Sequence, residues 1–224
     1  MRSLHFCYNI IQCELQTTFK VVCRSQMNKK LKKGQYLEVL LRSSRTVFST
    51  KDAALLWGEE KERTITSRLN KYVKAGKLVR VRRGIYAKDN NYDRFEVATR
   101  IYTPSYISFE TVLTEAGINF QFYKKITAAS YQTREIIVDG QTYSYKKIKN
   151  IVLTNPAGVI HKGETSVASP ERAFLDTIYI HKDYHFDNLG SLNWDKVFEI
   201  LPIYKNNRMA KKVNEFFEHH KAIK

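Results

Sequence analysis

The segment RLNKYVKAGKLVRVRRGIY, residues 68–86, changes its hydrophobic period halfway along its length. Its first part continues a helical pattern that ends at Gly76. From Val79 onward, apolar and basic residues alternate as they do in a strand. The segment therefore predicts a helix to about Ala75, followed at once by a hairpin that turns at Arg83-Gly84. The apolar face of this helix consists of Ile65, Leu69, Tyr72 and Val73.

Two shorter helices are predicted upstream of this segment. Apolar residues favour a helix from Gln35 to Leu41, and a second helix begins at Ser49 or Thr50 and ends at Gly58. Three helices followed by a basic hairpin are typical of a winged helix-turn-helix. The sequence predicts such a unit between Gly34 and Lys88.

The outer face of the third helix carries the side chains that reading of DNA bases requires. Arginine and asparagine can each form two hydrogen bonds with one base, and serine or threonine can bond to a base or a phosphate. The hairpin adds arginines suited to the phosphates beside the major groove or to a narrow minor groove. The predicted DNA-binding residues are Arg63, Thr64, Ser67, Arg68, Asn70 and Lys71 on the helix, and Arg80, Arg82 and Arg83 on the hairpin.

Positive charge is concentrated in the first half of the chain. The formal net charge is +16; residues 1–100 hold 22 Lys and Arg against 9 Asp and Glu, whereas residues 101–224 hold 16 against 13. Such an excess indicates a polyanionic partner, either nucleic acid or an anionic membrane. A membrane is the weaker alternative, because no apolar run approaches ~18 residues and no Trp/Phe/Leu-rich amphipathic segment accompanies the charge. We expect a cytoplasmic protein without a signal peptide.

The cysteines are confined to the first 23 residues, at positions 7, 13 and 23. Their odd number and irregular spacing fit neither a disulfide framework nor a zinc site, so no metal and no cofactor is predicted. Met27 opens a lysine-rich segment of the kind that often begins a bacterial protein. Residues 1–26 are therefore predicted to be an extension outside the folded unit, residues 27–90 the winged helix-turn-helix, and residues 91–224 a second domain.

The second domain has a mixed pattern, which predicts an α+β fold. Phe95–Tyr102 is interpreted as a linking helix. Further helices are expected at 108–116, 170–180, 194–201 and 208–219, and strands at 134–138, 141–148 and 151–153. Asp139-Gly140 is the expected hairpin turn, and Ser169 with Pro170 should begin the helix that follows.

Three segments, in order along the chain, resemble motifs of the AbiEi family of antitoxins. Residues 68–86 resemble its RL…GxLxRxxRGxY recognition-helix-and-wing signature. TPSYISFETVL at 103–113 is similar to its PSYISLESAL segment, and ASPERAFLD at 168–176 is similar to its ASPEKALLD block. The resemblance covers roughly Gln35–Ile180, and neither residues 1–26 nor the stretch after about His181 takes part in it.

The resemblance implies an antitoxin of a type IV toxin–antitoxin system that acts in abortive infection, a form of phage defence. The winged domain would repress its own operon by binding inverted repeats in the promoter. The C-terminal domain would counteract a nucleotidyltransferase toxin encoded beside this gene. Neutralisation in such systems need not involve a stable complex of the two proteins.

Two other functions remain open from the sequence. One is a stand-alone DNA-binding regulator or an interaction module without a toxin partner. The other is a metal-dependent nuclease, for which Glu164, Glu171 and Asp176 are the candidate metal ligands. We predict that the chain is not an enzyme, because Glu171 suits the first turn of a helix and Asp176 lies on a different face of it. The histidines also show no metal-binding spacing, and no phosphate-binding loop is present.

Overall fold

The computed structural model describes residues 31–32, 34–121, 124–181 and 183–223. The protein is α+β, with a mixed sheet. Internal contacts divide it into two units. The first contains the residues up to Ser43 together with Thr50–Gly76, and the second contains Ser44–Ser49 and the chain from Lys77 onward. The predicted extension at 1–26, with its three cysteines, lies outside the described residues.

Helices and strands are numbered separately in chain order. Within the described residues the helices are α1 (Gln35–Arg42), α2 (Thr50–Trp57), α3 (Glu62–Lys74), α4 (Arg94–Ile101), α5 (Glu110–Glu115), α6 (Asn150–Leu153), α7 (Pro170–Ile180), α8 (Trp194–Ile200), a 3-10 turn (Leu201–Tyr204) and α9 (Asn207–Ile223). The strands are β1 (Val47–Ser49), β2 (Val79–Arg82), β3 (Ile85–Ala87), β4 (Ser105–Ile107), β5 (Ile126–Ser130), β6 (Arg134–Val138), β7 (Gln141–Lys147), β8 (Val159–Lys162) and β9 (Thr165–Ala168).

The described part of the first unit contains α1, α2 and α3. Ile65 and Leu69, four residues apart on α3, are buried as their spacing predicts. Trp57 at the end of α2 is also buried, and its indole N–H donates a 2.8 Å hydrogen bond to the carbonyl of Tyr36. The rings of Tyr36 and Trp57 meet edge to face at 5.6 Å, which fixes the end of α2 against α1.

The second unit contains a small sheet of three antiparallel strands in the order β1-β3-β2. Val47, Ile85 and Ala87 of this sheet belong to the main hydrophobic core of the unit. The start of β1 is held by Glu96 of α4, whose Oε2 accepts hydrogen bonds from the backbone of Thr46 and Val47 at 2.8 Å each. The predicted hairpin of β2 and β3 therefore rests on the α+β core.

The main sheet has six strands in the order β6-β7-β5-β4-β9-β8, with both parallel and antiparallel neighbours. Helices cover both of its faces. Ala128 is paired with Tyr145, whose hydroxyl donates to the carbonyl of Ala98 in α4. The neighbouring Thr127 points to the other face and exchanges hydrogen bonds with Thr111 of α5.

Most helices and strands lie where the sequence predicts them. One helix is predicted as a strand, and several strands are not predicted. The strand predicted at 151–153 is wrong, because this segment forms most of the short helix α6. A run of three apolar residues is too short to show either a helical or a strand period, so it is compatible with both a strand and a buried helical turn. Strands β4, β5, β8 and β9 are absent from the sequence-based prediction. The predicted boundary at residues 90 and 91 falls inside the second unit.

Among the residues that the structure describes, no helix is long and apolar enough to cross a membrane.

Candidate nucleic-acid interface

The exposed face of α3 is polar and basic along the whole helix. A surface depression of ≈ 670 Å³ follows this face. Of the predicted helix residues, Arg63, Ser67, Asn70 and Lys71 line it. Arg63, Ser67 and Lys71 are exposed, whereas Asn70 is half-buried and has a bonding partner of its own. The sequence spacing therefore brings these four side chains to one face.

Two other residues that line the depression are missing from the predicted contacts. Thr66 and Lys74 lie three and eleven residues after Arg63, positions that share its face of a helix. Helical periodicity alone could have identified both. Glu62 is the one carboxylate among the described residues that line the depression, and it occupies the first turn, where it complements the helix dipole.

Thr64 and Arg68 lie away from the depression. Thr64 is half-buried. The guanidinium of Arg68 is stacked over the ring of Tyr36, 3.5 Å from its centroid, and is 5.4 Å from that of Trp57. Its Nη1 is buried and has no hydrogen-bond partner among the described residues. Arg68 thus packs against the aromatic pair of the first unit, in a cation–π contact.

The hairpin of the second unit carries its three predicted arginines in different surroundings. Arg80 and Arg83 are exposed, and the turn falls at Arg83-Gly84 as predicted. The register of β2 against β3 shifts between Arg80 and Arg82, so the alternation of faces is interrupted there. Arg82 is half-buried, and its charge opposes the rise in the pKa of Tyr145 that burial causes. Arg80 and Arg83 are therefore the more accessible cations of the hairpin.

The three carboxylates considered for a nuclease have separate partners. Glu171 is buried in the first turn of α7 and lies 3.4 Å from the backbone N–H of Asn193. Glu164 accepts hydrogen bonds from Ser44 (2.6 Å) and Arg45 (2.7 Å). The Ser44 and Arg45 hydrogen bonds hold the pKa of Glu164 below its usual value. No group of three or more metal-binding side chains occurs within the described ranges.

Asp176 is the centre of a fully buried polar network. Its carboxylate accepts hydrogen bonds from the hydroxyls of Tyr106 (2.9 Å), Ser108 (2.8 Å) and Tyr204 (2.6 Å), and from Nε of Arg172 (3.2 Å). Burial raises the pKa of Asp176, and Arg172 and the three hydroxyl donors act against this rise. Four donors around two oxygens suit an ionised carboxylate.

Arg172 donates to three further acceptors around the same network. Its terminal nitrogens donate to the carbonyls of Ala157 and Val152, at 2.7 Å each, and to the hydroxyl of Tyr106 at 2.9 Å. Tyr106 and Ser108 belong to the segment 103–113, and Arg172 and Asp176 to the segment 168–176. These two segments therefore meet here, where neither Arg172 nor Asp176 is exposed to solvent. Their role in this fold is to join β4 to α7.

No protein-family model matches this chain, and no match to it was found among curated proteins.

Proposed function

We propose that this protein is a DNA-binding transcriptional regulator that contacts DNA through a winged helix-turn-helix. The observation that carries the proposal is the exposed face of α3, where Arg63, Ser67, Asn70 and Lys71 line one depression. A helix inserted in the major groove needs this combination of short polar and basic side chains. The buried residues on its opposite face seat it on the unit.

The two elements take different parts in this proposal. Arg63 and Asn70 would bond to base edges, while Ser67 and Lys71 would bond to bases or phosphates. Arg80 and Arg83, with Arg82, would bind the phosphate backbone, a contact that contributes affinity without reading the sequence. Arg68 stabilises the unit through its aromatic stacking, and so we assign it no base contact.

We further propose that the chain is the antitoxin and autorepressor of a type IV toxin–antitoxin system. This step is supported by the resemblance of residues 68–86, 103–113 and 168–176, in that order, to motifs of the AbiEi family. The DNA would be inverted repeats in its own promoter. The functional partner would be a nucleotidyltransferase toxin, and both would be cytoplasmic. The mixed α+β domain would carry the neutralising activity.

The alternative that differs most in class is an interaction module whose DNA binding is incidental. The full chain should be tested by gel shift with the DNA upstream of its own gene and with a scrambled duplex of equal length. The proposal expects a shift of the upstream DNA at a protein concentration that leaves the scrambled duplex free. Equal shifts of both duplexes, or no shift of either, would overturn the proposal that the chain is a DNA-binding regulator.

The antitoxin step needs its own experiment. The neighbouring genes should be expressed one at a time, with and without this chain, and growth should be followed. One neighbour is expected to arrest growth alone and to be tolerated when the full chain is present. If no neighbour is toxic, or if a toxic neighbour is unaffected, the antitoxin assignment fails while the DNA-binding assignment stands.

A further inference from the structure

The second unit contains a cavity of ≈ 530 Å³ that the DNA-binding proposal does not use. Its walls come from the end of β7, the residues before α6, the last turn of α7 and the junction between the 3-10 turn and α9. Volumes of this size are typical of sites for small organic ligands. The polar and aromatic side chains that line it include Lys147, Lys149, Tyr179, Lys205, Asn206 and Asn207.

The cavity is strongly basic. Lys147, Lys149 and Lys205 are exposed lysines that line it, and the described lining residues include no carboxylate. None of the three forms an ion pair with any residue in the part of the chain that the structure describes. Residues 101–224 as a whole are nearly balanced in charge, so this cluster is a local feature. Three lysines that line one cavity, with no carboxylate among the described lining residues, favour a ligand with several negative charges.

The start of α9 adds to this positive potential. Asn206 caps the helix, since its Oδ1 accepts from the backbone N–H of Met209 at 3.2 Å. The helix continues for 17 residues and has no acidic residue in its first turn. The positive end of its dipole is therefore not neutralised within the helix, and Asn206 and Asn207 place that end at the cavity.

One wall of the cavity is aromatic and fixed in place. The half-buried ring of Tyr179 lies 5.3 Å from that of Tyr204. Tyr204 is held in turn by the hydrogen bond of its hydroxyl to the buried Asp176. A fixed aromatic ring beside cationic groups offers a stacking surface for a base next to a site for phosphates.

We infer that this cavity binds a nucleoside triphosphate, with the lysines and the start of α9 at the phosphates and Tyr179 beside the base. Lys147 ends β7, Lys149 lies just before α6, and Lys205 lies between the 3-10 turn and α9. Three cations suit several phosphate groups better than one. The volume of ≈ 530 Å³ lies in the range of small-ligand sites, which suits a single nucleotide. The inference does not depend on the DNA-binding proposal.

Binding should be measured by calorimetry on the full chain without DNA, with ATP, inorganic tripolyphosphate and adenosine as the probes. ATP is expected to bind, tripolyphosphate to compete with it, and adenosine alone not to bind. Lys147→Ala, Lys149→Ala and Lys205→Ala should each weaken ATP binding about fivefold or more. The exposed lysines Lys162 and Lys196, which do not line the cavity, provide the controls Lys162→Ala and Lys196→Ala.

Further variants separate the parts of the inference. Tyr179→Leu should weaken ATP binding but leave tripolyphosphate binding unchanged. Arg63→Ala on α3 should leave ATP binding unchanged, which distinguishes this site from the DNA-binding face. The inference is overturned if ATP does not bind, or if the three lysine variants bind it like the wild type. It is also overturned if ATP binds no more tightly than tripolyphosphate, because the base would then contribute nothing. Binding of a single-stranded oligonucleotide by these lysines, without binding of ATP, would overturn it as well.

Discussion

Arg172 and Asp176 lie one turn apart on α7, both without exposure to solvent, with Nε of the arginine 3.2 Å from Oδ1 of the aspartate. A second pair has the same spacing in α1, where Glu38 and Arg42 are 2.7 Å apart but highly exposed. The two pairs should differ greatly in how much the loss of one partner destabilises the protein, because only the first pair is removed from water. A buried charge that loses its partner is strongly destabilising, whereas an exposed pair contributes little.

We expect Asp176→Ala to lower the free energy of unfolding by about 3–5 kcal/mol, because it leaves Arg172 buried without a counter-charge. Tyr204→Phe removes only one donor and should cost about 1–2 kcal/mol. Glu38→Ala, the matched exposed control, should change stability by less than about 0.5 kcal/mol. Urea denaturation measures all three, and a loss below about 1 kcal/mol for Asp176→Ala would contradict the role given to the network.

Two glycines test how closely the chain packs against Arg172. Gly158 and Gly163 both have positive φ, at +70° and +58°. A Cβ added to Gly158 would lie 2.7 Å from Cδ1 of Ile200 and 2.8 Å from Cβ of Arg172, whereas one added to Gly163 meets nothing within 4 Å. Gly163→Ala should therefore cost about 1 kcal/mol of backbone strain, and Gly158→Ala about 1–3 kcal/mol more. Equal melting temperatures for the two variants would show that Gly158 is not close-packed.

Glu164 provides a prediction for the dependence of stability on pH. Its hydrogen bonds from Ser44 and Arg45 lower its folded-state pKa below the usual 4.5. The stabilisation is therefore present above about pH 4.5 and is lost as pH falls through the folded-state value. Glu164→Gln should be less stable than the wild type by about 1 kcal/mol at pH 7, and the difference should shrink at acid pH.

The control for this experiment is Glu135→Gln, since Glu135 is exposed on β6. Its stability should follow that of the wild type across the same pH range in thermal denaturation. A Glu164→Gln difference that grows on acidification would have the wrong sign for a lowered pKa.

The arginines of the hairpin should act on DNA without regard to its sequence. Arg83→Ala should weaken binding to specific and scrambled duplexes alike and lower the salt slope by about one unit per lost phosphate contact. Arg82→Ala should have a smaller effect, because Arg82 is half-buried. Anisotropy titrations at several salt concentrations measure both. A loss of selectivity with unchanged affinity for the scrambled duplex would contradict the phosphate role.

The sequence predicts the local features of this fold better than the long-range ones. Helix α3 and the turn at Arg83-Gly84 depend on periodicity and turn chemistry within a few residues, and both lie at their predicted positions. Strand β5 escapes prediction, because its partners β4 and β7 lie elsewhere in the sequence and its centre is Ala128-Ala129, residues of low strand propensity.

In the candidate sites too, the sequence predicts local features but not contacts between distant residues. The face of Arg63, Ser67 and Lys71 follows from helical spacing, but the stacking of Arg68 does not, because it requires the ring of Tyr36 from another helix. The lysine-lined cavity collects residues that are up to 60 positions apart in the chain. No spacing rule brings Lys147 and Lys205 together, and only the fold reveals that they share a cavity.

We propose that the exposed face of α3 reads DNA sequence, and the selectivity of Arg63→Ala tests this most directly. The measurement is the ratio of the dissociation constants for a scrambled duplex and for the DNA upstream of the gene, taken at one salt concentration. The wild type should prefer the upstream DNA, and Arg63→Ala should reduce that ratio at least about fivefold, since one bidentate base contact contributes about 1–3 kcal/mol of discrimination. Arg134→Ala, which replaces an exposed arginine of β6, should leave the ratio unchanged. Equal ratios for Arg63→Ala and Arg134→Ala, or no preference in the wild type, would contradict the claim.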